Sequence, residues 1–204
     1  MVYLKRSFQY RMPKTESFIR DTVLIKAIEV FQDKGYNATS MQDLVDVTGL
    51  NRSSIYNSFV SKLDLYLECL QSYENKFNRD TSSLLLKATN PLNAIELIFD
   101  LYIKIISAEK YDKGCFIGNC KSEMANHEKS ITNFLEGNQN RMLMLLEDLI
   151  SKGQEDALIN TKQSSKDYAL YLYSSLQGFR MTGILITERT KLKSIVNSIL
   201  QTIS

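Results

Sequence analysis

The sequence contains little proline, glycine or histidine, and it contains no tryptophan. Only two prolines and eight glycines interrupt the 204 residues, which favours long helices because these two residues are the poorest helix formers. His127 is the only histidine, so a Ser–His site would have one candidate base and no orienting motif. Gly-rich phosphate loops, CxxC and HExxH motifs are missing too. We therefore expect no enzyme, no metal and no cofactor.

Cysteines are few, and apolar runs are short. Cys69, Cys115 and Cys120 form an odd set without metal-ligand spacing, which suits a reducing compartment. No uncharged apolar run approaches the roughly 20 residues that cross a membrane. Basic residues interrupt the N-terminus, where a signal peptide would need an apolar segment. These features predict a cytoplasmic protein with no membrane partner.

Charge is unevenly distributed along the chain. Residues 1–20 hold five basic residues against one acidic residue, a net charge of +4, whereas the whole chain carries +2. We expect residues 1–17 to form a flexible basic arm. Such an arm could bind phosphates, or it could be an ordinary solvated terminus. The sequence leaves both possibilities open.

Apolar residues recur at helical spacing, and no segment shows the alternation of a strand. The predicted fold is all-α, with about nine helices. We expect the helices at Phe18–Gly35, Ser40–Thr48, Arg52–Phe59, Lys62–Lys87, Pro91–Ser107, Cys115–Met124, Glu128–Gln154, Ser165–Glu188 and Lys191–Ile203.

The segment from residue 39 to residue 62 carries the strongest functional signal. Ser40 followed by Asp43 is typical of a helix N-terminus, and Gly49 suits a tight turn between two short helices. Asn51 is a plausible cap for the next helix, whose inward residues are Ile55 and Phe59. The remaining positions of that helix are polar, basic or aromatic rather than apolar.

This mixture suits a helix that lies in the major groove of DNA, where short side chains permit close approach and longer donors reach base edges. Arginine pairs with guanine or phosphate, asparagine with adenine, and hydroxyl groups with phosphate oxygens. A lysine at a helix N-terminus joins a site that already favours anions. The predicted DNA-binding residues are Thr39, Arg52, Ser53, Ser54, Tyr56, Asn57 and Lys62. Ordinary exposed polar residues on a helical hairpin are the alternative.

The runs IKAIEVFQDKGYNATSMQDLV and VTGLNRSSIYNSFVSKLDLYLECL resemble the TetR family of bacterial transcriptional repressors. The resemblance implies a helix-turn-helix DNA-binding domain over residues 18–62 and a ligand-binding and dimerisation domain over residues 63–204. It implies a homodimer that leaves a double-stranded DNA operator when a small molecule binds. Val60 and Ser58 depart from the usual family pattern, in which a proline and an aromatic residue or histidine are frequent.

The family resemblance also implies that the last two helices form the dimer contact. The eighth helix is apolar around much of its circumference, so it must be covered on more than one side. The predicted dimerisation residues are Ser175, Gly178, Met181, Leu185, Leu192, Ile195, Val196 and Ile199. The alternative is that these helices pack only on their own chain.

Aromatic and methionine side chains predict an apolar pocket between the fourth and eighth helices, which suits a hydrophobic inducer. The candidate pocket residues are Tyr66, Leu70, Phe99, Tyr102, Cys115, Phe116, Met124, Phe134, Met142, Tyr171 and Phe179. Such residues are often plain core. Cys115 could instead be an electrophile- or redox-sensing thiol. A helical interaction module without DNA binding is a third reading.

Overall fold

A computed structural model of the chain describes residues 14–108 and 113–204, with side chains from residue 20 onward. Nine helices and no strand occur within these residues, which confirms the all-α prediction. The helices are α1 (Lys14–Ala38), α2 (Met41–Thr48), α3 (Arg52–Phe59), α4 (Lys62–Leu85), α5 (Pro91–Ile106), α6 (Phe116–Met124), α7 (Lys129–Glu155), α8 (Ser165–Thr182) and α9 (Arg189–Ile203).

The first helix begins earlier than predicted. Residues 14–17, which the sequence assigns to the arm, belong to this helix, and the other residues of the arm lie outside the described part of the chain. Apolar periodicity shows where a helix becomes buried and therefore misses a polar first turn. At the other end, Gly35 takes φ 77° and ψ 170°. This interrupts the helix where predicted, and one further turn follows up to Ala38.

Helices α1–α4 share one apolar core with α6 and the beginning of α7. Leu44 and Ile55 bring the helix-turn-helix into this core. Phe116 and Cys120 bring in α6, and the Tyr66 ring meets the Phe116 ring edge-on at 5.4 Å between centroids. We call this the N-terminal core. Because it includes α6, the helix-turn-helix shares its apolar packing with residues far along the chain.

Helices α5, α7, α8 and α9 build a second core, which we call the C-terminal core. Phe99 of α5 meets Phe179 of α8 edge-on, with 5.6 Å between ring centroids. Leu192, Val196 and Ile199 of α9 are buried in this core. The ninth helix therefore turns its apolar stripe towards its own chain.

Candidate nucleic-acid interface

Local capping determines where the two short helices begin and end. The Ser40 hydroxyl accepts a hydrogen bond from the Asp43 amide, and the Asp43 carboxylate accepts one from the Ser40 amide. This is the capping box that the sequence predicts. Lys34 donates to Asp43 at 2.7 Å, and this bond, together with those from Ser40, lowers the pKa of Asp43 to about 2. The carboxylate is therefore charged at neutral pH, at the positive end of α2.

The turn between α2 and α3 also follows its predicted chemistry. Gly49 closes α2 in the left-handed conformation, with φ 74°, which costs glycine no steric strain. Asn51 then caps α3, since its side-chain oxygen accepts from the Ser54 amide at 2.8 Å. These two devices set the angle at which α3 leaves α2.

The third helix is apolar on its inner side and polar on its outer side. Ile55 and Phe59 are buried, while Arg52, Ser53 and Asn57 are exposed. Tyr56 keeps 43% of its surface exposed, so a partner can reach its side chain. Ser54 is half-buried. The structure therefore places most of the predicted DNA-binding residues on one accessible helix.

Thr39 does not lie on this accessible surface, although the sequence predicts that it contacts DNA. It is 1% exposed, and its hydroxyl donates to the Gly35 carbonyl at 2.6 Å. The physical reason is the kink at Gly35, which leaves a carbonyl that the threonine satisfies. The exposed hydroxyl at the start of α2 belongs to Ser40, so Ser40 replaces Thr39 as the candidate phosphate contact.

Lys62 is also more engaged than the sequence predicts. Its ammonium donates to the carbonyls of Tyr36 and Thr39, both at 2.9 Å, and lies 4.3 Å from the centre of the Tyr36 ring. Burial lowers its pKa, and the carboxylate of Glu123 opposes that shift. Two of its three N–H groups are therefore directed at the protein, which leaves one for a phosphate.

Arg20 contributes to the basic charge of residues 1–20, but the structure gives it another role. Its guanidinium donates to Glu68 at 3.0 Å and to the Ser58 carbonyl at 3.2 Å. It also stacks over the Phe59 ring, 4.3 Å from the centroid. Arg20 thus joins α1, α4 and the last turn of α3. No local motif reveals this, because the partners lie 38 and 48 residues away.

The turn after α3 is strained. Val60 has φ 59° and ψ −50°, while the Ser61 amide donates to the Phe59 carbonyl. This is a γ-turn of the rare, strained type, and a β-branched residue is poorly suited to positive φ. Proline could not adopt this φ, which explains why Val60 departs from the frequent family residue. The Val60 side chain is 78% exposed.

The structure divides the predicted ligand-binding residues between the two cores. Helical spacing shows that a residue faces inward but does not show which neighbour it faces, and this is why one predicted pocket becomes two sets. The N-terminal core holds Tyr66, Leu70, Cys115, Phe116, Met124 and Phe134. The C-terminal core holds Phe99, Tyr102, Met142, Tyr171 and Phe179.

Two hollows on the described surface lie away from these residues. One, of about 410 Å³, is lined by Arg189, Thr190, Lys193, Ser194 and Asn197 of α9. Another, of about 480 Å³, is lined by Asn75, Asn78, Arg79, Ser82 and Ser83 of α4. Both are open to solvent, and neither contains a predicted pocket residue.

Polar groups lie where the two cores meet. Tyr73 and Cys115 both pack against the N-terminal core, and burial is the first cause of the raised pKa of Tyr73, to which Cys115 adds. Burial also raises the pKa of Tyr102, Cys115 and Tyr73 raise it further, and Arg180 opposes the rise. We call Tyr73, Tyr102, Cys115 and Arg180 the seam. It brings Cys115 and Tyr102, which were predicted as pocket residues, close to one another.

Several predicted dimerisation residues are unavailable to a second chain. Leu192, Val196 and Ile199 are buried in the C-terminal core, because α9 must cover α5 and α8 of its own chain. Ile195 and Ser175 are half-buried. The remaining three predicted residues lie at the surface. They are Gly178, which is open on its outer side, Met181 at 59% exposure and Leu185 at 91% exposure.

Among the described residues, no group of three or more His, Cys, Asp or Glu side chains could hold a metal ion. Across the same residues, every helix is too short or too polar to span a membrane.

Comparison with known proteins decides the family. A family model described as "Bacterial regulatory proteins, tetR family" matches residues 23–69, and one described as "Tetracyclin repressor-like, C-terminal domain" matches residues 91–199. The chain belongs to the TetR family. It is therefore a helix-turn-helix transcriptional regulator, in agreement with the exposed polar face of α3.

Individual relatives agree with this assignment. The HTH-type transcriptional regulator YezE of Bacillus subtilis is 31% identical over 142 residues, covering 70% of this chain and 71% of YezE. The HTH-type transcriptional repressor ComR of Escherichia coli is 24% identical over 185 residues, covering 90% and 88%. The TetR-family regulator CifR, solved with 26 bp operator DNA, shares the fold with a TM-score of 0.79 at 20% identity, covering 89% and 95%.

Proposed function

We propose that this TetR-family member is a cytoplasmic, homodimeric repressor that leaves a near-palindromic operator when a small hydrophobic molecule binds to the helices after α3. The exposed outer face of α3 is the observation that supports the proposed DNA binding. Arg52, Ser53, Tyr56 and Asn57 are all exposed on this one capped helix. Its inner side is anchored by Ile55 and Phe59.

Each exposed group has a matching partner on DNA. Arg52 suits a guanine edge or a phosphate, and Asn57 suits an adenine edge. Ser53 and Tyr56 suit phosphate oxygens, which orient a protein on the duplex without reading its sequence. Ser40 takes the place of Thr39 at the start of α2, although its hydroxyl is also bonded to Asp43. Ser54 and the remaining N–H of Lys62 are secondary contacts, because Ser54 is half-buried and Lys62 already donates to two carbonyls.

The dimer contact is proposed on the outer face of α8 and the turn that follows it. Leu170 is 46% exposed, Met181 59% and Leu185 91%, and Gly178 leaves room for a close approach. Exposed large apolar residues that cluster on one helix often mark a protein contact. Two-fold symmetry would then place two α3 helices about one turn of B-DNA apart, roughly 34–36 Å.

A ligand acts by favouring one arrangement of the dimer over another. Coupling of about 1–3 kcal/mol between the two sites lowers DNA affinity roughly 5- to 150-fold. We place the ligand between α4 and α8, against the seam, where the two cores meet. The apolar residues on either side of the seam suit a hydrophobic molecule, and the hydroxyls of Tyr73 and Tyr102 could orient it.

Cys115 supports a second candidate, in which an electrophile or oxidant is the signal. It is the half-buried cysteine, whereas Cys69 and Cys120 are buried. Burial raises the pKa of both buried thiols, which makes them poorer nucleophiles. Cys115 contacts Tyr73 at the seam, so a modification there would disturb the place where the cores meet.

A salt titration tests the proposed DNA binding. A duplex is first selected from a random 30 bp pool with the wild-type chain, and its affinity is measured by fluorescence anisotropy at increasing salt. A dimeric regulator should lose affinity with a log–log slope of about −0.9 per phosphate contacted. A chain that selects no duplex would be the interaction module that lacks DNA binding, and binding that is independent of salt would contradict the proposed phosphate contacts.

The same duplex distinguishes the two signals. We expect N-ethylmaleimide to release the wild-type chain no faster than it releases Cys115→Ser, because the hydrophobic ligand is the preferred signal. Cys69→Ser is the matched control, since its thiol is buried. Release that requires Cys115 would favour the electrophile-sensing candidate instead.

A further inference from the structure

The segment that joins α1 to α2 is held by side chains from two other helices. It begins at Gly35, where the helix breaks, and ends at Ser40, which caps α2. We call residues 35–40 the joint. The break leaves the amides of Tyr36 and Asn37 without helical acceptors, as at any helix N-terminus. These amides must find partners elsewhere, because unpaired backbone groups are costly.

Glu123 of α6 supplies those partners. One carboxylate oxygen accepts from the Tyr36 amide at 2.8 Å, and the other accepts from the Asn37 amide at 2.7 Å. The fit is close, since a Cβ at Gly35 would lie 2.8 Å from the same carboxylate. Hydrogen bonds from amides to a charged carboxylate are stronger than neutral ones.

Lys62 holds the opposite side of the same segment. Its ammonium donates to the carbonyls of Tyr36 and Thr39, and it lies close enough for Glu123 to influence its pKa. Lys113, just before α6, adds an ion pair to Asp33 of α1 at 2.7 Å. The joint is therefore fixed between the start of α4 and the end of α6.

The joint leads directly into α2 and α3, so its conformation sets the direction of α3. We call α3 the reading helix, because it is the helix proposed to contact the bases. We propose that Glu123 is a positioning residue for DNA binding, because its carboxylate holds the joint and thereby sets the spacing of the two α3 helices. The proposal rests on the proposed function, in which a symmetric dimer places one α3 helix in each of two half-sites. According to this proposal, the end of α6 keeps the two α3 helices of the dimer at a fixed spacing.

The test measures spacing preference rather than affinity alone. The wild-type chain selects its duplex from a random pool, and two further duplexes carry one base pair more or one fewer between the half-sites. We expect the wild type to discriminate strongly among the three. In Glu123→Gln, affinity for the selected duplex should fall ~10-fold and the discrimination should shrink to within ~3-fold, in the range of coupling between sites.

Glu128→Gln is the matched control. It removes the same charge near Tyr36, to which Glu128 is electrostatically coupled. Its side chain caps no helix and makes neither joint hydrogen bond. We expect its spacing preference to equal that of the wild type. Glu123→Asp keeps the charge but shortens the reach, so it should lie between the wild type and Glu123→Gln.

A purely structural role for Glu123 gives a different result. It would lower the fraction of folded protein and weaken all three duplexes equally, leaving their ratios unchanged, and that result would overturn the proposal. If Glu123→Gln does not fold, the ratios of Glu123→Asp decide in the same way. A wild-type chain that selects no duplex, or ignores spacing, would refute two-fold reading and the role of Glu123 with it.

Discussion

The two cores of this protein are held together by different means. The C-terminal core joins α5, α7, α8 and α9 through close apolar packing, as between Phe99 and Phe179. The N-terminal core is also apolar inside, but polar side chains fix how its short helices are oriented. Arg20, Lys62 and Glu123 each bond to backbone groups at the ends of α1 and α3.

The difference shows how the short helices α2 and α3 can be both ordered and adjustable. Apolar packing is sensitive to every lost methylene and resists gradual change. A hydrogen bond contributes only about 0.5–1.5 kcal/mol net, so a few such bonds hold α3 in one orientation while permitting another. Each of the following predictions concerns a substitution that disrupts one of the two regions.

The largest effect should come from the surface of the C-terminal region. Met181→Glu places a charge on the proposed dimer face, so we expect monomers in sedimentation velocity. Loss of the second reading helix should lower affinity for the selected duplex by ~10²–10⁴. Leu86→Glu is the control, because Leu86 is equally apolar and 89% exposed at the end of α4. A dimer that survives Met181→Glu would place the contact elsewhere.

The second-largest effect should come from the polar contacts that attach α2 and α3 to the rest of the protein. Lys62→Ala leaves the carbonyls of Tyr36 and Thr39 without their donor, so the free energy of unfolding should fall by about 1–3 kcal/mol. Urea denaturation measures the change, and Lys26→Ala, at an exposed position of α1, should shift stability by less than about 0.5 kcal/mol. Equal stability of both variants would contradict the structural role of Lys62.

Substitutions on the exposed face of α3 should change DNA affinity and leave stability unchanged. Arg52→Ala removes an exposed donor, so we expect the duplex to be bound about 1–3 kcal/mol more weakly with unchanged urea denaturation. Arg189→Ala changes an exposed arginine at the start of α9 and should bind as the wild type does. If the two variants bind alike, α3 does not read the duplex as proposed.

The smallest effect concerns the strained turn between α3 and α4. Strain at positive φ costs roughly 1–3 kcal/mol, and glycine costs about 0.5–1 kcal/mol in chain entropy. Val60→Gly should therefore raise the free energy of unfolding by about 1 kcal/mol. Val60→Ala keeps a Cβ and should gain less. A less stable Val60→Gly would show that the valine side chain makes a compensating contact.

The sequence predicted what depends on neighbouring residues. The capping box at Ser40, the left-handed Gly49 and the Asn51 cap were all confirmed, because each involves partners within a few positions. Burial of Ile55 and Phe59 followed from helical spacing in the same way. These local signals located α3 correctly.

Long-range partners could not be predicted. Nothing near Glu123 indicates that its acceptors bond to amides 86 and 87 residues away. The apolar stripe of α9 likewise showed that the helix is covered but not whether its own chain or a second chain covers it. The structure assigns Leu192, Val196 and Ile199 to the chain's own core. Spacing reveals a buried side, whereas the identity of the neighbour depends on the whole fold.

Hydroxyl-radical footprinting of the selected duplex tests the central claim most directly. If α3 is presented twice by a symmetric pair of chains, the wild type should protect two patches about 34–36 Å apart along one face of the duplex. Arg52→Ala should weaken both patches equally. A single patch, uniform protection, or two patches that do not depend on Arg52 would contradict this account.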